Sequence, residues 1–206
     1  MPLSPNSWKR IIEAAGRLFA NRGFNGVGFR EITRKARVSL RMPNQHFGTK
    51  RKLFAECIRY ALGKGLDFSA IFRTTSEFTD PNAARRVIGR NIRRCFMAVH
   101  AQGKQRNWYG SILARALNEN LPEGLDALQE GLKPARNWFS TSLRSVRPKL
   151  TPTEFLLWYV SLWAQVSFYH MARTSILHRA NKRPYDEHLL KAAADHLVHI
   201  MLAQLQ

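Results

Sequence analysis

Residues Arg30 to Lys50 read REITRKARVSLRMPNQHFGTK, and this stretch decides how the rest of the chain is understood. Ile32 and Ala36 lie four apart, so they share one face of a helix, while Arg30, Arg34, Lys35 and Arg37 point elsewhere. Ser39 is a good N-cap for a second helix, and Val38 ahead of it can act as an apolar staple. That second helix turns Pro43 and Phe47 inward and carries Arg41, Asn44 and Gln45 outward. Arg, Asn and Gln are the side chains able to make paired hydrogen bonds to purine edges in a major groove. Taken alone, the window also fits an ordinary amphipathic hairpin with a solvated basic face.

The upstream residues separate the two readings. Ile11, Ile12, Ala15, Leu18 and Phe19 have helical spacing, and Gly23 is a natural stop because it accepts a left-handed conformation. From here the chain resembles the TetR family of transcriptional regulators. The resemblance rests on Ile11-Ile12, Ala14-Ala15, Leu18-Phe19, Gly23-Phe24, Ile32, Ala36-Arg37-Val38-Ser39, His46-Phe47, Lys50 and Leu53, all in register without a gap. It implies a helix-turn-helix head that binds double-stranded DNA. It places positions 40 to 42 and 45 against base edges and positions 44 and 50 against phosphates. The DNA-binding set is then Arg30, Ser39, Leu40, Arg41, Met42, Asn44, Gln45, His46 and Lys50.

The chain departs from the family pattern at four places. Arg37 stands where the turn usually has glycine, in a position that favours positive φ. Gly28 replaces the usual Ser or Thr cap, Asn44 the usual Tyr, and Pro43 an inward Leu or Ile. With Ser39 as cap, Pro43 is the first residue whose N–H would close an intrahelical bond, so a short or distorted first turn is expected.

Charge points the same way. The 206 residues carry 33 Lys+Arg against 14 Asp+Glu, a formal +19. Residues 1–52 hold 12 of those cations and 2 of the anions, so the density is greatest at the motif, as a polyanion-binding module requires. Cys57 and Cys95 sit in apolar helical patterns and read as buried thiols. The N-terminal MPLSPNSWKR has no apolar signal core, and no apolar run is long enough to span a membrane. The expectation is a cytoplasmic protein.

No alternating strand pattern occurs, so the expected fold class is all-α, with about nine helices. The domains expected are a DNA-binding head over 1–52 and a ligand-binding and dimerisation bundle over 53–206. Thr49 opens a helix from Lys50 to about Phe72, and Asp80-Pro81 starts another running to about Gln102. Further helices are expected over about 107–118, from Pro122 to Val146 with a kink or split at Pro134, and from Pro152 to about His178. Thr151-Pro152-Thr153-Glu154 is the best cap in the chain. The final helix, about 185–205, carries the stripe Leu190, Ala194, Leu197, Val198, Met201 and Leu205, which asks for a partner surface. With the family resemblance, this points to a homodimer through the last two helices and a pseudo-palindromic operator.

His196 and His199, with Asp195 and His188 nearby, lack the spacing of a metal site, and no metal or cofactor is expected. No nucleophile elbow or phosphate loop occurs, so no enzyme is expected. Phe96, Trp108, Trp138 and Tyr169, with His100, Arg115 and Gln165, are polar and aromatic groups within apolar helices. They form the candidate ligand set, because an apolar cavity with a few polar handles is what a small-molecule site requires. The function expected is a sequence-specific DNA-binding regulator, a repressor released by a small-molecule effector. The rival readings are a basic compaction protein that binds nucleic acid without sequence preference, and an all-helical enzyme.

Overall fold

The computed structural model describes residues 5–66, 68–73, 78, 80–100, 108–172 and 187–205, and every regular element among them is a helix. The chain forms two compact units. The first joins Met1–Leu66 to Gln102–Leu132, and the second joins Asp67–Ala101 to Lys133–Gln206.

The first unit is built on α1 (Pro5–Arg22), which packs against α2 (Phe29–Ala36), α4 (Lys50–Tyr60) and α7 (Tyr109–Glu119). Its buried face carries Ile11, Ile12, Ala15, Leu18 and Phe19, the set that helical spacing selects. Phe19, Phe24 and Phe54 meet at centroid distances of 5.2 to 6.1 Å. Each such ring contributes roughly 1.5–3 kcal/mol through burial. Between α2 and α4 lies the short α3 (Arg41–Phe47).

The helix expected from Lys50 to Phe72 is interrupted. After α4 the chain makes one wide turn over Ala61–Gly65, and a single helical turn, α5 (Phe68–Ile71), follows in the second unit. Gly63 and Gly65 lie in that wide turn, where two residues of weak helix propensity meet.

The second unit contains α5, α6 (Pro81–His100), the later part of α8 (Pro122–Val146), α9 (Pro152–Met171) and α10 (Glu187–Ala203). Asp80 caps α6 through bonds from the N–H groups of Asn82 and Ala83 at 2.8 and 3.0 Å. α8 runs unbroken through Pro134, so the expected split does not occur. α9 opens on a capping box: Thr151 Oγ1 accepts from the Glu154 N–H, and Glu154 accepts from the Thr151 N–H. Residues 101–107 and 173–186 lie outside the described residues, so the ends expected near Gln102, His178 and Tyr185 do as well.

The stripe on the last helix faces its own chain. Leu190, Ala194, Leu197, Met201 and Leu205 are buried, chiefly against α6. Gly89 makes that approach possible, since a Cβ there would lie 2.9 Å from Val198 Cγ1. Trp158 donates from Nε1 to the Met201 carbonyl at 2.9 Å. The exposed large apolar residues of the second unit are instead on α9, at Leu156, Leu157, Val160, Phe168 and Met171, with Leu189 on α10. Among the described residues no helix is long and apolar enough to cross a membrane.

Candidate nucleic-acid interface

α2 and α3 form the expected helix-turn-helix. Gly28 precedes α2 in an extended conformation and makes no side-chain cap bond. Arg37 ends α2 in the left-handed region at φ 53°, as its position requires. Ion pairing fixes the entry to α2, because Arg22 holds Glu31 in a two-pronged contact and also donates to the Gly26 carbonyl.

The start of α3 differs from expectation. It begins at Arg41 rather than directly after Ser39, and no side chain caps it. Pro43 is the reason. It has no N–H to give the Ser39 carbonyl, so the Met42 N–H takes that carbonyl at 3.1 Å in a tighter turn. Pro43 then falls in the first turn of α3, where an N–H would have had no intrahelical partner, and the proline costs little.

Pro43 and Phe47 are buried beneath α3, while Arg41, Asn44, Gln45 and His46 are exposed. Leu40 stands out at 51% exposure, Met42 is half-buried, and Arg30 and Ser39 are exposed. One face of a seven-residue helix therefore presents a guanidinium, two carboxamides and an imidazole to solvent.

Lys50 is partly committed inside the protein. Its ammonium donates to the carbonyls of Phe24 and Val27, both at 3.0 Å, and lies 4.1 Å from the centroid of the Phe24 ring. It ties the start of α4 to the turn after α1. An ammonium has three donors, so one remains for a phosphate.

The candidate ligand residues divide between the units. In the second, Phe96 lies 4.3 Å from His100 and 5.3 Å from Tyr169, centroid to centroid. His100 is buried, with Nε2 3.1 Å from the Val166 carbonyl. Trp138 packs against Phe72 and Phe139, and the Gln165 amide nitrogen lies 3.9 Å from Met201 Sδ. Trp108 and Arg115 belong to the first unit. Trp108 donates from Nε1 to Glu13 at 3.2 Å and stacks on Tyr60, and Arg115 donates to the carbonyls of Ala20 and Asn21 at 3.4 Å.

Sequence patterning did not single out Glu13 or Glu119. Glu13 accepts from Arg17, Tyr60, Trp108 and Tyr109. Glu119 accepts the Phe24 N–H at 2.9 Å. An acid set among the apolar residues Ile11, Ile12, Ala14 and Ala15 was the one available signal for Glu13.

Cys57 and Cys95 are free and buried. Burial pushes both thiols above their usual range, which suits inert packing groups. Asp195 pairs with Arg93. Among the described residues no three potential ligands are grouped to hold a metal ion.

The sequence profile described as bacterial regulatory proteins of the tetR family matches residues 11–57, and a tetracyclin repressor-like C-terminal domain matches residues 92–203. No curated protein matches the chain. Among solved structures it is similar to a transcriptional regulator from Rhodococcus sp. Rha1, at 21% identity and TM-score 0.67 over 95% of this chain and 96% of that one. It is similar to FadR from Bacillus subtilis, solved with stearoyl-CoA, at 13% identity and TM-score 0.62 over 97% and 100% of the two chains. It is also similar to AibR, solved with isovaleryl coenzyme A and operator DNA, at 16% identity and TM-score 0.62 over 94% and 97%.

Proposed function

The chain belongs to the TetR family of bacterial transcriptional regulators, and from that premise we propose a homodimeric, cytoplasmic repressor that leaves its operator when a small effector binds. The observation that carries the reading is the exposed face of α3, held rigid from below by Pro43 and Phe47.

α3 enters the major groove. Arg41 suits guanine and Gln45 adenine, while Leu40 and Met42 offer apolar contact to a thymine methyl. Asn44, His46, Ser39, Arg30 and the remaining donor of Lys50 hold phosphates, and these contacts fix register without reading sequence. Residues 1–52 supply this interface, and 53–206 supply effector binding and dimerisation.

Two-fold assembly presents two such helices to a pseudo-palindromic site. The exposed apolar face of α9, with Leu157 and Phe168 each 63% exposed, supports an interface through the last two helices. The effector site centres on Phe96, His100 and Tyr169, with Trp138 and Gln165 in the same unit. Trp108 and Arg115 act as the joint between α7 and α1. Effector binding favours one spacing of the two heads, and only the other spacing fits both half-sites. The acyl thioesters held by FadR and AibR are the first compounds to test.

The decisive experiment titrates cognate and random duplexes with the wild type, Arg41→Ala and Gln45→Ala. Each variant loses about 1–3 kcal/mol on the operator and little on random DNA. Equal losses on both would instead favour a protein that compacts DNA without reading it. An effector raises the melting temperature and weakens operator binding together, because the two sites are linked. A compound that binds the second unit and leaves DNA affinity unchanged does not occupy an effector site.

A further inference from the structure

Arg37 holds φ 53° and ψ 53° at the end of α2, a conformation that costs a residue with a Cβ about 1–2 kcal/mol and glycine almost nothing. Strain kept at one residue invites a search for what its side chain does. Arg37 lines a groove of about 260 Å³ where the end of α2 meets α1. Its other walls are Arg10, Arg17 and Lys35, and the buried residues Ala14 and Ala36 also line it. Two small residues at the helix crossing leave the space, and four cations surround it.

Glu13 is the one acid lining the groove, and its oxygens are already used. Oε2 accepts from Arg17 at 3.3 Å and Trp108 at 3.2 Å, and Oε1 accepts from Tyr60 at 3.3 Å and Tyr109 at 3.5 Å. It neutralises Arg17 and leaves Arg10, Lys35 and Arg37 without a carboxylate among the lining residues. The two guanidinium forks and the ammonium that remain around one small space match a tetrahedral oxyanion better than a single carboxylate.

We propose that this groove is a phosphate-binding site, separate from the base-reading face of α3. Arg37 stands four residues before the start of α3, so the groove is close along the chain to the end of α3 that, on the function proposed above, enters DNA. A backbone phosphate beside the half-site is one source of the ligand, and a free phosphate compound is the other.

The test uses the full-length protein, a random-sequence duplex and pyrophosphate as the free probe. Lys35→Gln and Arg37→Gly each remove one groove cation. Arg37→Gly also relieves the positive φ, so it keeps the fold. Arg144→Gln, on an exposed part of α8 in the second unit, removes the same charge elsewhere.

If the ligand is a backbone phosphate, both groove variants flatten the salt dependence of duplex binding by about one counterion, and Arg144→Gln does not. If it is a free phosphate compound, the duplex slope is unchanged, and calorimetry shows pyrophosphate binding weakened about tenfold in both groove variants alone. Equal slopes in all four proteins with no change in pyrophosphate binding overturn the proposal. A slope lowered as much by Arg144→Gln overturns it too. Pyrophosphate binding is measured without DNA, so a protein that fails to read an operator still answers the question.

Discussion

Lys50 reaches back across the head to Phe24, lying 4.1 Å from its ring centroid and bonding its carbonyl at 3.0 Å. A residue at the start of α4 thereby holds the turn that leads into α2. Lys50→Ala leaves the Phe24 and Val27 carbonyls without this donor and is expected to cost about 1–3 kcal/mol of stability. It also removes one charge from the proposed phosphate-facing set, so the salt dependence of DNA binding is expected to flatten by about one counterion. Denaturant melts read the first effect and salt titrations the second. Wild-type stability in the variant would mean the two carbonyl bonds carry no weight.

The proposed dimer interface and the subunit core use different faces of the last two helices. Leu157→Asp and Val160→Asp change exposed positions on α9. They are expected to give folded monomers that bind an operator poorly. Leu197→Asp and Met201→Asp place a charge at positions 1% and 0% exposed, and are expected to cost more than about 4 kcal/mol and unfold the subunit. Sedimentation and circular dichroism on the same samples separate the outcomes. A Leu157→Asp protein that remains dimeric at micromolar concentration excludes α9 as the interface.

The hydroxyls around Glu13 make the first unit sensitive to alkali. Burial, then the charge of Glu13, raises the pKa of both Tyr60 and Tyr109, the latter from 10.0 to about 12. An unfolded chain gives up the Tyr109 proton first, so the folded state loses stability as pH rises from 10 towards 12. Below 10 the contribution is complete. Glu13→Gln removes the second cause and should bring the tyrosinate titration down. A wild-type ultraviolet titration with every tyrosine ionising near 10 contradicts this.

Two glycine positions should respond in opposite directions. Gly16→Ala drives a methyl into the Trp108 ring and is expected to destabilise by about 1–3 kcal/mol. Gly28 is already extended, and a methyl on its Cα would meet nothing within 4 Å, so Gly28→Ser supplies the missing cap of α2 at no steric cost. A gain of a few tenths of a kcal/mol is expected. Thermal melts of the two variants suffice, and a Gly28→Ser protein that melts lower would refute the cap argument.

Local signals were legible in the sequence because they act within one turn of chain. The left-handed Arg37, the Asp80 cap and the Thr151–Glu154 box all follow from residue type and spacing. The buried set of α1 followed from helical period. What failed needed partners distant in sequence. The stripe of α10 is legible as apolar, but nothing local says that α6 covers it while α9, apolar on several sides, keeps an uncovered face. Trp108 and Arg115 look like polar handles of a cavity until their bonds to α1 are known. Ser39 looks like a cap until Pro43 moves the start of the helix.

The first compact unit borrows residues from beyond position 102. Trp108 fills the space over Gly16, Arg115 takes the last carbonyls of α1, and Glu119 holds Phe24. Grafting the reading head of this regulator onto another body by exchanging its first fifty residues would therefore leave Gly16 facing a hole and the α1 carbonyls unmatched. A working hybrid must carry α7 with the head, so the natural seam for recombination is not where the recognition motif ends.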